Sequence, residues 1–145
     1  MQSSSVFATA DAEQFNYGIT RVQSRDGRVV IITSEGDMTR HAIDEWYDVV
    51  HDTLVNWSNG TTVRLCLDLT HPNQGVTPYS MSRIPELYQL AEVKLDMKAK
   101  VAIVLRNWLV IRIFTAIFKH IRENHINVDE KIFHTRDEAS AWLLE

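Results

Sequence analysis

The groups in this chain able to carry chemistry are six histidines, one cysteine and a polar stretch between Leu69 and Ile84. That stretch offers Asp68, Thr70, His71, Asn73, Gln74, Thr77, Tyr79, Ser80, Ser82 and Arg83 as hydrogen-bonding groups. It leaves the carboxyl end of an expected parallel strand, where open α/β sheets bind ligands. Long irregular segments in compact domains are uncommon and often bind something. An ordinary crossover loop rich in turn residues has the same composition, so both readings stand here. Ser80, His71 and Asp68 can be drawn as a hydrolytic trio, but such a trio is recognised by geometry and not by nearness in sequence. No Gly-x-Ser-x-Gly elbow supports it. The five glycines, at 18, 27, 36, 60 and 75, form no phosphate-cradling loop. No catalytic residue and no cofactor is therefore assigned.

His41, Asp44, Asp48 and His51 fall three and four residues apart, within reach of one another on a helix. Imidazole and carboxylate together suit a divalent transition metal. This face lies opposite the apolar stripe of the same helix, so it reads as a solvated surface and no metal is expected. Cys66 sits inside an apolar run, the setting of an inert core thiol.

The elements that position these groups follow from periodicity. Gly18 to Val22 and Arg28 to Thr33 read as a hairpin, turned by Ser24-Arg25-Asp26-Gly27. Thr39 is the N-cap of a helix reaching about Trp57, with Met38 and Ile43 as a hydrophobic staple. Val63 to Leu67 is a strand closed by Asp68. A helix is expected over Pro85 to about Lys94, with Pro85 in its first turn. Lys100 to Leu105 reads as a central strand, Asn107 to Asn124 as a long helix, and Lys131 to Phe133 as a short last strand. Thr135-Arg136-Asp137-Glu138 is a capping box opening the final helix. The order ββαβαβαβα implies an α/β fold: a mixed, mostly parallel five-stranded sheet with about four helices packed on it.

The 145 residues are the size of one domain, here 16–145 after a flexible leader at 1–15. A chain this long buries roughly 70% of its unfolded surface and needs no metal or disulfide to fold. Hydrophobic residues make up 45% and charged residues 23%, an ordinary globular balance. The net charge of −4 argues against nucleic acid as a partner. The first residues lack the basic start and apolar block of a secretory signal, and no run is long enough to span a membrane. With a single cysteine, a cytoplasmic setting is expected.

The strand pair ending in Glu35-Gly36-Asp37, the strand Val63-Arg64-Leu65-Cys66-Leu67-Asp68 and the tail from Ile132 to Leu143 carry a family likeness. Together they resemble SpoIIAA-like domains of the STAS (sulfate transporter and anti-sigma antagonist) type, over about residues 17–145 as an order of elements. The resemblance implies a fold used for protein docking, for small-ligand sensing and, in distant relatives of the CRAL-TRIO type, for lipids. Anti-sigma antagonists of the family are switched by phosphorylation of a Ser that follows an Asp and precedes a Gly. Here the corresponding stretch is Thr77-Pro78-Tyr79-Ser80-Met81-Ser82-Arg83, which lacks that pattern. Neither Ser80 nor Ser82 is carried over as a phosphosite.

The helix at 107–124 has a wide apolar arc, formed by Val110, Ile111, Ile113, Phe114, Ile117, Phe118 and Ile121. Burial under neighbouring elements is expected, with a ligand cavity or a homodimer contact as other uses of the same arc. Trp108 and Arg112 fall outside it and are the partner-contact candidates. The leading expectation is a non-catalytic module that docks a partner protein or another copy of itself. The alternative is a carrier or sensor of a small apolar or amphipathic ligand, held between this helix and the sheet. A hydrolase built on the 68–83 stretch is a third and weaker reading.

Overall fold

A computed structural model describes residues 12–24, 27–37, 39–57, 62–70, 77–94, 98–106, 108–122 and 128–145. The elements are β1 (Glu13–Gln14), β2 (Ile19–Gln23), β3 (Val30–Ser34), α1 (Arg40–Val55), β4 (Thr62–Asp68), α2 (Pro78–Lys94), β5 (Lys98–Val104), α3 (Trp108–Arg122), β6 (Val128–Phe133) and α4 (Arg136–Leu143). The strands lie side by side in chain order. β1, β2 and β3 pair antiparallel; β3, β4, β5 and β6 pair parallel. The fold is thus α/β with a mixed sheet and four helices.

The sheet has six strands where five were expected. The extra one is β1, at the end of the segment read as a leader. Its pairing rests on charge: the Arg21 guanidinium donates to both carboxylate oxygens of Glu13, at 3.0 and 2.8 Å. Arg21 also donates to Asp52 on α1 at 2.8 Å and stands over the Phe15 ring. A two-residue strand has no hydrophobic period to read, so its signal lay in these distant partners.

The strands put apolar side chains on both faces because both faces are covered. Val30, Ile32, Leu65, Leu67 and Ile103 join residues of α1, α2 and α3 in one core. Ile31, Cys66, Ala102 and Val104 join Ala139 and Leu143 of α4 in the other. Three helices therefore cover one face and the short α4 covers the opposite one.

Local signals account for most boundaries. Thr39 caps α1 by accepting from the Ala42 amide, as expected; its proposed staple partner Met38 lies outside the described residues. Gly27 takes a φ of +73° in the turn between β2 and β3. Gly18, at φ +81°, is required by contact as well as by dihedral: a Cβ there would stand 2.8 Å from the Gly36 backbone nitrogen.

One boundary differs. α2 begins at Pro78, seven residues before the expected start, and Pro85 lies inside it. Thr77 and Ser80 form a reciprocal cap: the Ser80 amide donates to Thr77 Oγ1 at 3.1 Å, and the Thr77 amide to Ser80 Oγ at 3.0 Å. Pro78 then takes the first helical position, where its missing N–H costs nothing. Pro85 deletes only the bond to the Met81 carbonyl, on a residue exposed enough for water to replace it.

Candidate functional site

The residues read as one binding loop fall into two groups. Asp68 ends β4, opposite Thr33 of β3. It is 4% exposed. Its Oδ1 accepts from the Thr70 amide at 3.0 Å and from the Thr70 hydroxyl at 2.7 Å, which fixes the chain just past the strand end. Its Oδ2 accepts from Arg136 Nε at 2.5 Å, and Arg136 Nη2 donates to Thr33 Oγ1 at 2.9 Å. This carboxylate thus pins the first turn of α4 to the sheet.

The second group belongs to α2 and faces α1. Tyr79 donates to Asp44, and Arg83 joins the same carboxylate at 2.9 Å and Glu86 at 3.1 Å. The Arg40 guanidinium stands 4.2 Å over the Tyr79 ring, and that of Arg83 stands 4.8 Å over Tyr47. Tyr47 donates to the Ser80 carbonyl at 2.9 Å. Ser82 Oγ donates to the Tyr79 carbonyl at 2.7 Å. Hydrogen bonding from Tyr79, then the charge of Arg83, holds the Asp44 carboxyl below the usual carboxylate range. Its contribution to the join is therefore present above the ordinary carboxyl pKa and is lost as the pH falls. Burial pushes the Tyr47 hydroxyl up, so it remains a donor.

Among the described residues, no hydrogen bond or ion pair joins the Asp68–Thr70 group to the Thr77–Arg83 group. His71, drawn with Ser80 and Asp68 as a trio, lies outside the described residues. The Ser80 hydroxyl donates to the Thr77 carbonyl at 2.9 Å and accepts from the Thr77 amide, so its role here is to cap a helix. The stretch from Pro78 to Arg83 is helix, not loop.

Cys66 is fully buried between β4 and α4. Burial, followed by the nearby charge of Asp68, pushes its thiol up to about 12. The thiolate is the nucleophile, so native protein is expected to resist iodoacetamide at pH 8 and to react only on unfolding. The unfolded thiol ionises near its ordinary value while the folded one stays protonated. Stability attributable to this group therefore falls as pH rises from about 9 to about 12. Cys66→Val should remove that slope in alkaline urea titrations; an unchanged slope would contradict this assignment.

On the first helix, His41 stacks on Tyr17 with centroids 5.7 Å apart, and Asp44 serves the α1–α2 join. Among the described residues, no group of three or more His, Cys, Asp or Glu is placed to hold a metal ion.

Two basic residues that composition left unremarked have a clear task. Arg64 Nε donates to the Leu143 carbonyl at 2.9 Å. Lys100 Nζ donates to the Trp142 carbonyl at 2.7 Å and stands 4.5 Å over the Trp142 ring. They satisfy the open carbonyls at the end of α4 and complement its dipole. The signal was present in the strands: Arg64 and Lys100 interrupt apolar runs on one face only.

The α3 surface is of a different kind. Trp108 is its first residue and Arg112 is exposed one turn later. Leu109 is 54% exposed, the most open of the large exposed hydrophobics among the described residues. Val110 and Ile111 pack on the core but stay half-buried, as does Ile113. The side chains of Phe114, Ile117, Phe118 and Ile121 lie outside those described. Among the described residues, no helix is long and apolar enough to cross a membrane. No protein-family model matches the chain, and no match was found among curated proteins or solved structures.

Proposed function

We propose that this chain is a non-catalytic, STAS-like docking module of the cytoplasm that binds a partner protein or a second copy of itself through the surface of α3. The observation that carries this reading is Leu109. A leucine more than half exposed, beside half-buried Val110 and Ile113 and exposed Arg112, combines an apolar anchor with a charged rim. What supports docking over catalysis is the engagement of Asp68, Thr70, Ser80 and Arg83 in bonds within the fold.

The test is a photo-cross-linking residue at position 109, with position 55 on α1 as an exposed control. A discrete cross-linked polypeptide is expected from 109 alone, and its purified form should bind the wild-type chain and fail to bind Leu109→Asp. Equal labelling from both positions, or none from 109, would overturn the reading.

A second reading is favoured by Val101. It lies in β5, flanked by strands on both sides, yet it remains partly exposed on the three-helix face, as do Ile132, Val110 and Ile111. A small apolar ligand between α3 and the sheet would cover these residues. A bound species lost on denaturation, of lipid or similar mass, would select this reading.

A further inference from the structure

Charge is unevenly placed along this chain. The run from Met97 to Arg122 carries Lys98, Lys100, Arg106, Arg112, Lys119 and Arg122, and no Asp or Glu. Of the 15 Lys and Arg in the chain, the other nine stand against all 19 Asp and Glu. The acidic balance of the chain therefore lies wholly outside this run.

The needs of the fold account for only part of it. Lys100 is committed to the Trp142 carbonyl. Lys119 and Arg122 lie in the last turn of α3, where the helix dipole favours a positive charge. Arg106 has the opposite placement. It is exposed and stands two residues before α3 begins, where the dipole favours a negative charge. The first turn of α3 has no acidic residue to offset it. Arg21, Arg83 and Arg136 each pair with a carboxylate of the fold. Among the described residues, none forms such a pair with Arg106 or Lys119.

Leu109, Arg112, Ala116 and Lys119 follow one another at spacings of three and four, and all four are exposed. They make one strip along α3, about 15 Å long at the helical rise per residue, with Arg106 beyond its start. Half-buried Ile113 lies beside Leu109. The strip thus carries positive charge along its length and an apolar anchor near one end.

We propose that the partner docked on α3 is an acidic amphipathic helix of another protein. It lies along this strip with carboxylates toward Arg106, Arg112 and Lys119 and an apolar side chain against Leu109. The proposal rests on the docking reading above and gives its partner a chemistry. Opposed potentials set the choice and register of such a pair, and the apolar anchor holds it. A bilayer or a nucleic acid carries negative charge over an area much wider than the strip, and would also face the acidic remainder of the chain. A short acidic segment matches the strip alone.

The test uses the full chain and two synthetic helical peptides with the same leucines, one with glutamate and the other with lysine at the remaining positions. Fluorescence anisotropy should show the glutamate peptide bound and the lysine peptide free. Raising the ionic strength from about 0.1 M to about 1 M, which shortens the reach of charge from about 10 Å to about 3 Å, should release it. Arg106→Glu with Lys119→Glu should weaken binding about tenfold or more. Lys131→Glu, the same change at an exposed position on β6, should leave it unaltered. Circular dichroism should show all variants folded, as the three positions are exposed.

Equal binding of the two peptides, no binding of the glutamate peptide, or indifference to the double substitution would overturn the acidic partner. If the polypeptide cross-linked from position 109 bound the double variant as well as wild type, docking through α3 would stand without it. Flotation with vesicles of phosphatidylserine and phosphatidylcholine, lost in the double variant, would assign the strip to a lipid surface and overturn the proposal. No cross-linked product from 109 and no bound peptide would overturn both.

Discussion

Asp68→Ala is expected to lower the stability of this protein by about 3 kcal/mol, the low end of the loss when one member of a buried ion pair is removed. The carboxylate accepts from the Thr70 amide, the Thr70 hydroxyl and Arg136, and is itself almost inaccessible to water. Arg136 is 44% exposed at its side chain, so it can regain water when its partner is lost, which keeps the cost from rising higher. The half-buried Thr70 loses the acceptor of both its amide and its hydroxyl, and each bond left unmade adds to the cost. Asp68→Asn should lose less, because one oxygen still accepts from Thr70. The measurement is urea unfolding with hydrogen exchange on the amides of α4. Exchange there should accelerate before that of α1, since eight residues do not hold a helix in water without tertiary anchors. A loss below about 0.5 kcal/mol, typical of neutral surface changes, would show that Asp68 is not the anchor.

Leu65→Ala is expected to cost about 3 kcal/mol, the usual range for a leucine deleted from a close-packed interior. Leu65 is 1% exposed on β4, paired to Val30 on one side and Val101 on the other. Its neighbours are strands on both flanks and helices above, so the space cannot collapse easily. Leu109→Ala is the control. It removes the same side chain from an exposed position and should change stability by less than about 0.5 kcal/mol. If Leu109→Ala proved as costly as Leu65→Ala, that leucine would belong to the core, and the docking surface would lose its anchor.

The fold was largely legible because its strands and helices obey local rules. Val29-Val30-Ile31-Ile32 and Val101 to Leu105 are β-branched or apolar runs with nowhere to go but a two-sided core. Thr39 and Thr135 stand at helix starts, and each accepts from an amide three residues on. The capping box at Thr135 differs in one detail: the Glu138 carboxylate accepts from the Thr135 hydroxyl. Pro85 misled the reading of α2, since proline marks a first turn more often than an interior. Thr77-Pro78 was the better start signal, with a cap and a first-position proline in sequence.

The candidate site was less legible, because side chains that look like ligands in sequence serve the frame in space. Arg83 and Tyr79 share Asp44, which lies in another helix; Asp68 shares Arg136, which lies in a third. Such pairs span long sequence separations and leave no period. The apolar arc of α3 was legible as a helix period, and of its residues Val110, Ile111 and Ile113 are half-buried. How much of that arc is left open depends on the width of the sheet beneath, which no local pattern encodes.

The proposed role of α3 and its surroundings is to meet another polypeptide. Its most direct test is the native mass spectrum of untagged protein gently purified from its own cells. The expected spectrum shows the 16.7 kDa chain held with a second copy or another protein, and Leu109→Asp returns it to the free chain. A spectrum in which the wild type is always a single chain, bare or carrying only a small apolar ligand, would contradict that role.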